Sequence, residues 1–371
     1  MNDWLVGRDK PVIAALALRA ALRSLPFVID IFQSTQYQDR KGRLFLSAFR
    51  SSLKIALAAK TNDDEYWRAA ESSGRKADHE TDPSYPTARS GNALYGWISV
   101  AFHTTYDNHA ENSIYVPAAT FREETTHSEQ HEAERAYWLA VSEDASAIEG
   151  LLSPSELFER KLWLTIEQPA IASDAWDTFV SVLENEAPTW RFWIEWVQSF
   201  RSGYPVDWDL QREVAAIPDE DWESGPEHIA RIVAEISARH ALHDRIRELE
   251  NELARSSTSR LGIGGNNPPE PLSRETTVAR ELLIVWEPLQ QLKQEARTNK
   301  PSRGKIERLI GILGSVLQNG ISWCGTKADL AVDTTIKWAI PAGGGYFALN
   351  PSKLEAVIEA AKKWLAEVIW F

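Results

Sequence analysis

Residues 260–271 read Arg-Leu-Gly-Ile-Gly-Gly-Asn-Asn-Pro-Pro-Glu-Pro, and no regular element runs through such a segment. Its glycines leave the backbone unrestrained, and its prolines fix φ and remove backbone donors. Charge divides at the same place. Residues 275–371 hold twelve Lys/Arg against ten Asp/Glu, a net of +2, so with −13 for the whole chain residues 1–274 carry −15. At 371 residues the chain also exceeds the size at which one core usually stops growing. These features predict an acidic body over 1–255, a Gly/Asn/Pro linker over 256–274 and a small, near-neutral unit over 275–371.

Periodicity makes both parts mainly α. Leu18, Leu22 and Leu25 follow i, i+4, i+7, and Leu46, Phe49, Leu53 and Leu57 follow i, i+3, i+7, i+11. Asn62-Asp-Asp-Glu65, Ser153-Pro-Ser-Glu156 and Ser224-Gly-Pro-Glu227 fit the capping box, in which a short side chain caps an amide and a Glu reaches back. Helices are expected over 10–25, 42–59, 63–75, 128–144, 154–165, 173–185, 188–201, 207–215 and 225–255. After the break they are expected over 273–294, with Pro288 kinking or dividing that helix, and over 303–317, 321–338 and 350–371. Ser72–Asn92 is expected as a long loop. Residues 97–117 have strand-favouring composition and are expected as a short β-hairpin or, equally, as helix.

The glycines of 262–265 invite a phosphate-loop reading, but no strand precedes them and no Gly-Lys-Ser/Thr follows. Gly262, Gly264, Asn266, Asn267, Pro268 and Pro269 are therefore expected as a hinge. With Glu270 they form a Gly-x-Gly-x-Asn-Asn-Pro-Pro-Glu segment that resembles one found in many uncharacterised proteobacterial proteins. The resemblance covers about nine residues. It implies a bacterial source and a modular chain, and no activity.

Sixteen tryptophans spread over the whole length suggest core filling. Trp190, Trp193 and Trp196 share one helical face, either a helix–helix contact or an aromatic surface for a ligand. Ile229, Ile232 and Ile236, then Leu242, Ile246, Leu249 and Leu253, form two stripes in which the chain packs on itself or pairs with a second copy. Ile217-Pro-Asp-Glu-Asp-Trp222 is acidic with an aromatic and suits a cation; the plainer reading is a surface loop before a positive helix end.

His127 and His131 lie one turn apart, as in zinc hydrolases, with His103 and His109 upstream. Ser128 stands where those enzymes have Glu, so the specific signal is missing. Arg297, Lys300, Arg303, Lys305 and Arg308 precede the uncharged run Leu309–Thr326. With Trp323 and Trp338 they form a candidate surface for an anionic membrane or a partner protein.

The acidic balance disfavours nucleic acid as partner, one cysteine cannot form an internal disulfide, and no cofactor is implied. Arg19 ends an apolar run of eight residues, too short for a confident span. The expected protein is a non-enzymatic sensor–effector, cytoplasmic or peripheral to the inner membrane, whose C-terminal unit acts on a membrane or partner. The alternatives are a self-associating helical scaffold and a metal-dependent hydrolase using His127 and His131.

Overall fold

The computed structural model describes residues 2–5, 7–34, 41–80, 88–103, 112–121, 127–186, 188–258, 277–298, 300–325, 338–342, 345–349, 351–368 and 370. They are mainly α-helical. α1 (Asn2–Leu5) and α2 (Lys10–Ser24) lead through a 3-10 turn over Leu25–Val28 into α3 (Ile29–Gln33). α4 (Lys41–Thr61), α5 (Asp64–Glu80), α6 (Ala88–His103), α7 (Asn112–Thr120) and α8 (His127–Glu149) follow. Next come α9 (Pro154–Leu157), α10 (Ala170–Glu184), α11 (Arg191–Ser202), α12 (Trp208–Ala215), α13 (Asp219–Glu223) and the long α14 (Pro226–Thr258). α15 (Thr277–Glu295), α16 (Arg303–Gly325), the strands β1 (Trp338–Ala342) and β2 (Gly345–Leu349), and α17 (Pro351–Glu367) complete the order.

Two compact units divide the chain into Met1–Val233 and Ala234–Phe371, with the boundary inside α14. Composition groups residues up to 255 with the acidic body, but Ala238, Leu242, Ile246 and Leu249 pack in the core of the second unit. The charge asymmetry is unchanged, because residues 234–274 hold six Lys/Arg and six Asp/Glu, leaving −15 on the first unit. Most of the expected linker lies outside the described residues.

In the first unit, α4 packs against α2, α5 and α6. Residues 44–59 of α4, except the half-buried Ser47, are buried, as are residues 14–24 of α2. A helix buried on every side lies inside a core rather than on its surface. Lys10–Gln33 is apolar enough to cross a membrane, but 89% of its apolar window is buried within the fold, so packing accounts for its composition. Aromatic rings fill the space beside α4. Phe49 stacks on Trp193 at 4.8 Å, and Trp97 meets Phe49 edge-on at 4.6 Å.

The second unit closes around aliphatic side chains of α14, α15 and α16, with Leu354, Val357, Ile358, Ala361 and Trp364 of α17. Trp364 is fully buried, and its indole Nε1 donates to Glu235 at 2.8 Å. β1 and β2 pair antiparallel, with Trp338 opposite Leu349 and Ala342 opposite Gly345. The first strand begins at Trp338, the residue expected to end a helix.

Several expectations change. Of the two readings of 97–117, the described residues take the helical one, in α6 and α7, and not the short β-hairpin. Gly96 lets these helices approach: a Cβ there would stand 2.8 Å from the Pro117 ring. Burial of Ile98 and Val100 on α6 outweighs their strand preference. The loop expected from 72 is helical through Glu80, supported by the Glu71–Arg75 pair at 2.7 Å. α15 continues through Pro288.

Of the three capping boxes, Ser153–Glu156 forms with both bonds. Asn62 adopts positive φ after α4, and Asp63 caps the Glu65 amide at 2.8 Å instead. Ser224 closes α13, and Gly225 at φ +99° precedes Pro226.

The helix expected over 154–165 stops at Leu157 because side chains take over its carbonyls. Arg19 donates to Leu157 and Arg160 through Nη1 and to Lys161 through Nη2, and Arg23 donates to Leu162. Both guanidiniums also bond Asp144, at 2.9 and 2.6 Å. Gly203 ends α11 at φ +68° against this segment, where a Cβ would lie 2.7 Å from the Lys161 amide nitrogen.

Candidate functional site

α4 carries a polar stripe through its buried length. Arg43, Ser47, Arg50 and Lys54 recur at i, i+4, i+7 and i+11, so they share one face. Arg43, Ser47 and Arg50 line a cleft of 290 Å³ with Leu46 of α4, Ser73 and Lys76 of α5, and Trp222 and Glu223 of α13. Lys54 stands one turn further along the stripe.

Arg50 sits at the centre. The residue is 6% exposed, and its Nε is buried without a hydrogen-bond partner. One Nη donates to Asp219, and the guanidinium lies 4.9 Å from the Trp222 ring centroid. Trp222 is held in place by its indole N–H, which donates to the Ile217 carbonyl at 3.0 Å. Arg50 thus lays one face on a ring and leaves part of its donor fork unused. Lys76 pairs with Glu223 at 2.9 Å.

The electrostatics follow from this crowding. The hydrogen bond from Arg50 holds the Asp219 carboxyl below its ordinary range, with further lowering by the charges of Arg50, Lys54 and Lys76. Burial and the Arg50 charge pull the Lys54 amine down to about 8, against an opposing pull from Asp219. Arg43, Arg50, Lys54 and Lys76 face two carboxylates, Asp219 and Glu223. This is a cationic site in a unit of net −15. A guanidinium with spare donors beside two ammonium groups can hold a compact anion.

Of these residues only Asp219 and Trp222, within the run 217–222, stand out in the sequence. That run suits a cation or, on the plainer reading, a surface loop; its residues from Asp219 on lie in α13, and the cation they meet is the chain's own Arg50. On α4 the spacing Arg43, Ser47, Arg50, Lys54 looks like an ordinary solvated face, but Arg50 and Lys54 are buried while Arg43 is exposed and Ser47 half-buried.

The sequence-predicted sites fall elsewhere. Trp190, Trp193 and Trp196 are 1–3% exposed and pack with Phe49 in the core, so they offer no free aromatic surface. Ile229 and Ile236 are buried, and Ile232 is half-buried. Leu242, Ile246 and Leu249 pack against α15, α16 and α17 of their own chain, and the Leu253 side chain lies outside the described residues.

Arg297, Lys300, Arg303 and Arg308 are exposed. Lys305 is half-buried and pairs with Glu295 at 2.7 Å, and Arg303 pairs with Glu307 at 2.9 Å. Leu309 and Leu313 of the uncharged run are buried, leaving Ile312 exposed among them. The side chains of His127, His131, Trp323 and Trp338 lie outside the described residues, as do Gly262, Gly264, Asn266, Asn267, Pro268 and Pro269. Among the described residues no cluster of His, Cys, Asp and Glu is arranged to hold a metal ion. No protein family matches the chain, and no curated protein or solved structure shows significant similarity to it.

Proposed function

We propose that this chain is a non-enzymatic two-part sensor–effector whose first unit binds a small anion in the cleft between α4, α5 and α13. The observation that carries this reading is Arg50, a buried side chain that lines the cleft and whose Nε has no hydrogen-bond partner. A buried donor left without an acceptor costs on the order of 1–3 kcal/mol, and an incoming anion recovers it. The exposed basic group of Arg297, Lys300, Arg303 and Arg308 supplies the output, directed at an acidic partner protein or an anionic membrane surface. α14 provides continuity, since it starts three residues after α13 ends and contributes Leu242, Ile246 and Leu249 to the second core.

Calorimetric titration of the full chain with sodium pyrophosphate tests the input. Arg50→Gln is expected to weaken binding at least tenfold in a protein whose circular dichroism is unchanged. Wild-type chain that takes up no pyrophosphate at millimolar concentration would remove the anion site from the reading.

A further inference from the structure

The cleft already holds two anionic groups, and both belong to one short helix. Asp219 and Glu223 are the first and last residues of α13. The contrast across each pair is informative. The Arg50 side chain is 7% exposed and its Asp219 partner 76%, while Lys76 and Glu223 are 47% and 63% exposed. The cations belong to the long helices α4 and α5, whereas the carboxylates stand in solvent on a five-residue helix. Pro218 precedes that helix, and Gly225 at φ +99° follows it. Asp219 takes only one Nη of the guanidinium and leaves Nε empty. The Lys76–Glu223 pair is exposed on both sides, and such a pair contributes roughly 0–1 kcal/mol, so it is readily exchanged.

We propose that Asp219 and Glu223 are tethered stand-ins for the ligand, and that a phosphate-bearing anion carrying at least two negative charges displaces them from Arg50 and Lys76, releasing α13. This rests on the anion-site reading above. The exchange is non-covalent and conserves charge balance: two carboxylates return to water, and two or more negative charges replace them. A monoanion would leave one cation uncompensated. A tetrahedral phosphate also presents enough oxygens to bond the Arg50 guanidinium and the Lys76 ammonium together, which Asp219, bonded to one Nη, does not do. At 290 Å³ the cleft suits a phosphate monoester group or a diphosphate rather than a whole nucleotide. The face of Trp222 is already covered by Arg50.

The test uses the full chain, sodium pyrophosphate as probe, and the variant Asp219→Asn/Glu223→Gln. Both positions are exposed, so the variant is expected to fold. Calorimetry should show the variant binding about tenfold more tightly than wild type. Hydrogen exchange should show pyrophosphate lowering amide protection over 219–224 in wild type. Binding with equal affinity to both proteins, or with protection over 219–224 unchanged, would overturn the displacement while leaving an anion site in place. Malonate binding as tightly as pyrophosphate would overturn the phosphate class. Absence of binding to either protein would overturn the anion site itself and the displacement with it.

Discussion

The two units solve the burial problem in opposite ways. The second buries aliphatic side chains and one tryptophan, and the lysines of its ion pairs are only half-buried: Lys293–Glu250 at 2.8 Å, Lys305–Glu295 at 2.7 Å and Lys353–Glu252 at 3.0 Å. Among the described residues, its one buried charged or polar side chain is Glu295. The first unit buries Arg19, Arg23, Arg50, Lys54 and Asp144, four cations against one anion. Buried ion pairs can often be replaced by apolar packing with no loss of stability, so stability alone does not account for such a core. At Arg19 and Arg23 the charge has a structural use, since their donors hold the non-helical segment after α9. At Arg50 and Lys54 no comparable backbone clamp is formed among the described residues, and Arg50 lines a cleft.

The largest effect should come from Asp144. Removing it leaves two buried guanidiniums without their shared counter-ion, a defect that typically costs about 3–5 kcal/mol. Asp144→Ala should lower the urea midpoint of the first unit accordingly, and a loss below about 1 kcal/mol would break the contrast drawn between the cores. Burial pushes the Asp144 carboxyl up, but Arg23 and Arg19 more than offset this and hold it below its ordinary range. Its contribution is therefore complete above the ordinary carboxylate pKa of about 4 and is lost as pH falls through the lower folded value. Wild type should lose stability at acid pH more steeply than the Ala variant.

In the second unit the matching probe is Ile246, fully buried beside Leu242 and Leu249. Ile246→Ala should destabilise that unit by about 3 kcal/mol, within the usual range for a large-to-small core change, and leave the solution mass unaltered. A fall in mass with unchanged stability would mean that the stripe pairs with another copy.

These two residues also mark what the sequence makes legible. Ile246 falls in a helical stripe, and such a stripe is local information, so α14 and α17 and their inward faces were readable. What the stripe packs against was not, and the boundary inside α14 was missed for that reason. Asp144 lies 125 positions from Arg19. Arg19 looked like the charged end of an apolar run, and no spacing shows that a distant carboxylate and three backbone carbonyls receive it. The cationic cleft was hidden in the same way, because Arg50 meets Asp219 across 169 positions. Local patterns report which face is apolar; they do not report a helix buried on all faces, where a polar residue becomes a site or a clamp.

A smaller effect of opposite sign is expected at Lys54. With its folded value near 8, below the 10.5 of an ordinary lysine, the unfolded chain holds more protons between those two pH values. Stability therefore rises with pH across that window, and below it the charged amine is a standing penalty. Arg50 adds to the penalty and Asp219 offsets part of it. Lys54→Met should stabilise the first unit by about 2 kcal/mol at pH 7. The gain should shrink between pH 8 and 10.5 in thermal melts. A gain that is constant with pH would mean that packing, not charge, separates the two proteins.

The smallest effect separates the sequence-legible part of the first unit from the part fixed by distant arginines. Ser153 Oγ caps the Glu156 amide at 3.3 Å, and the Glu156 carboxylate returns to the Ser153 amide at 2.8 Å. Ser153→Ala should cost about 1 kcal/mol, the usual value of an N-cap. Its reach should also be short. α9 spans only Pro154–Leu157, and the chain beyond is held by Arg19 and Arg23 through carbonyl bonds that do not depend on the cap. Hydrogen exchange should therefore quicken at residues 155–157 and stay unchanged at the Leu162 amide. If Leu162 loosens with the cap, the arginines follow the helix end rather than fix the segment, and the buried charges of this unit lose their structural role.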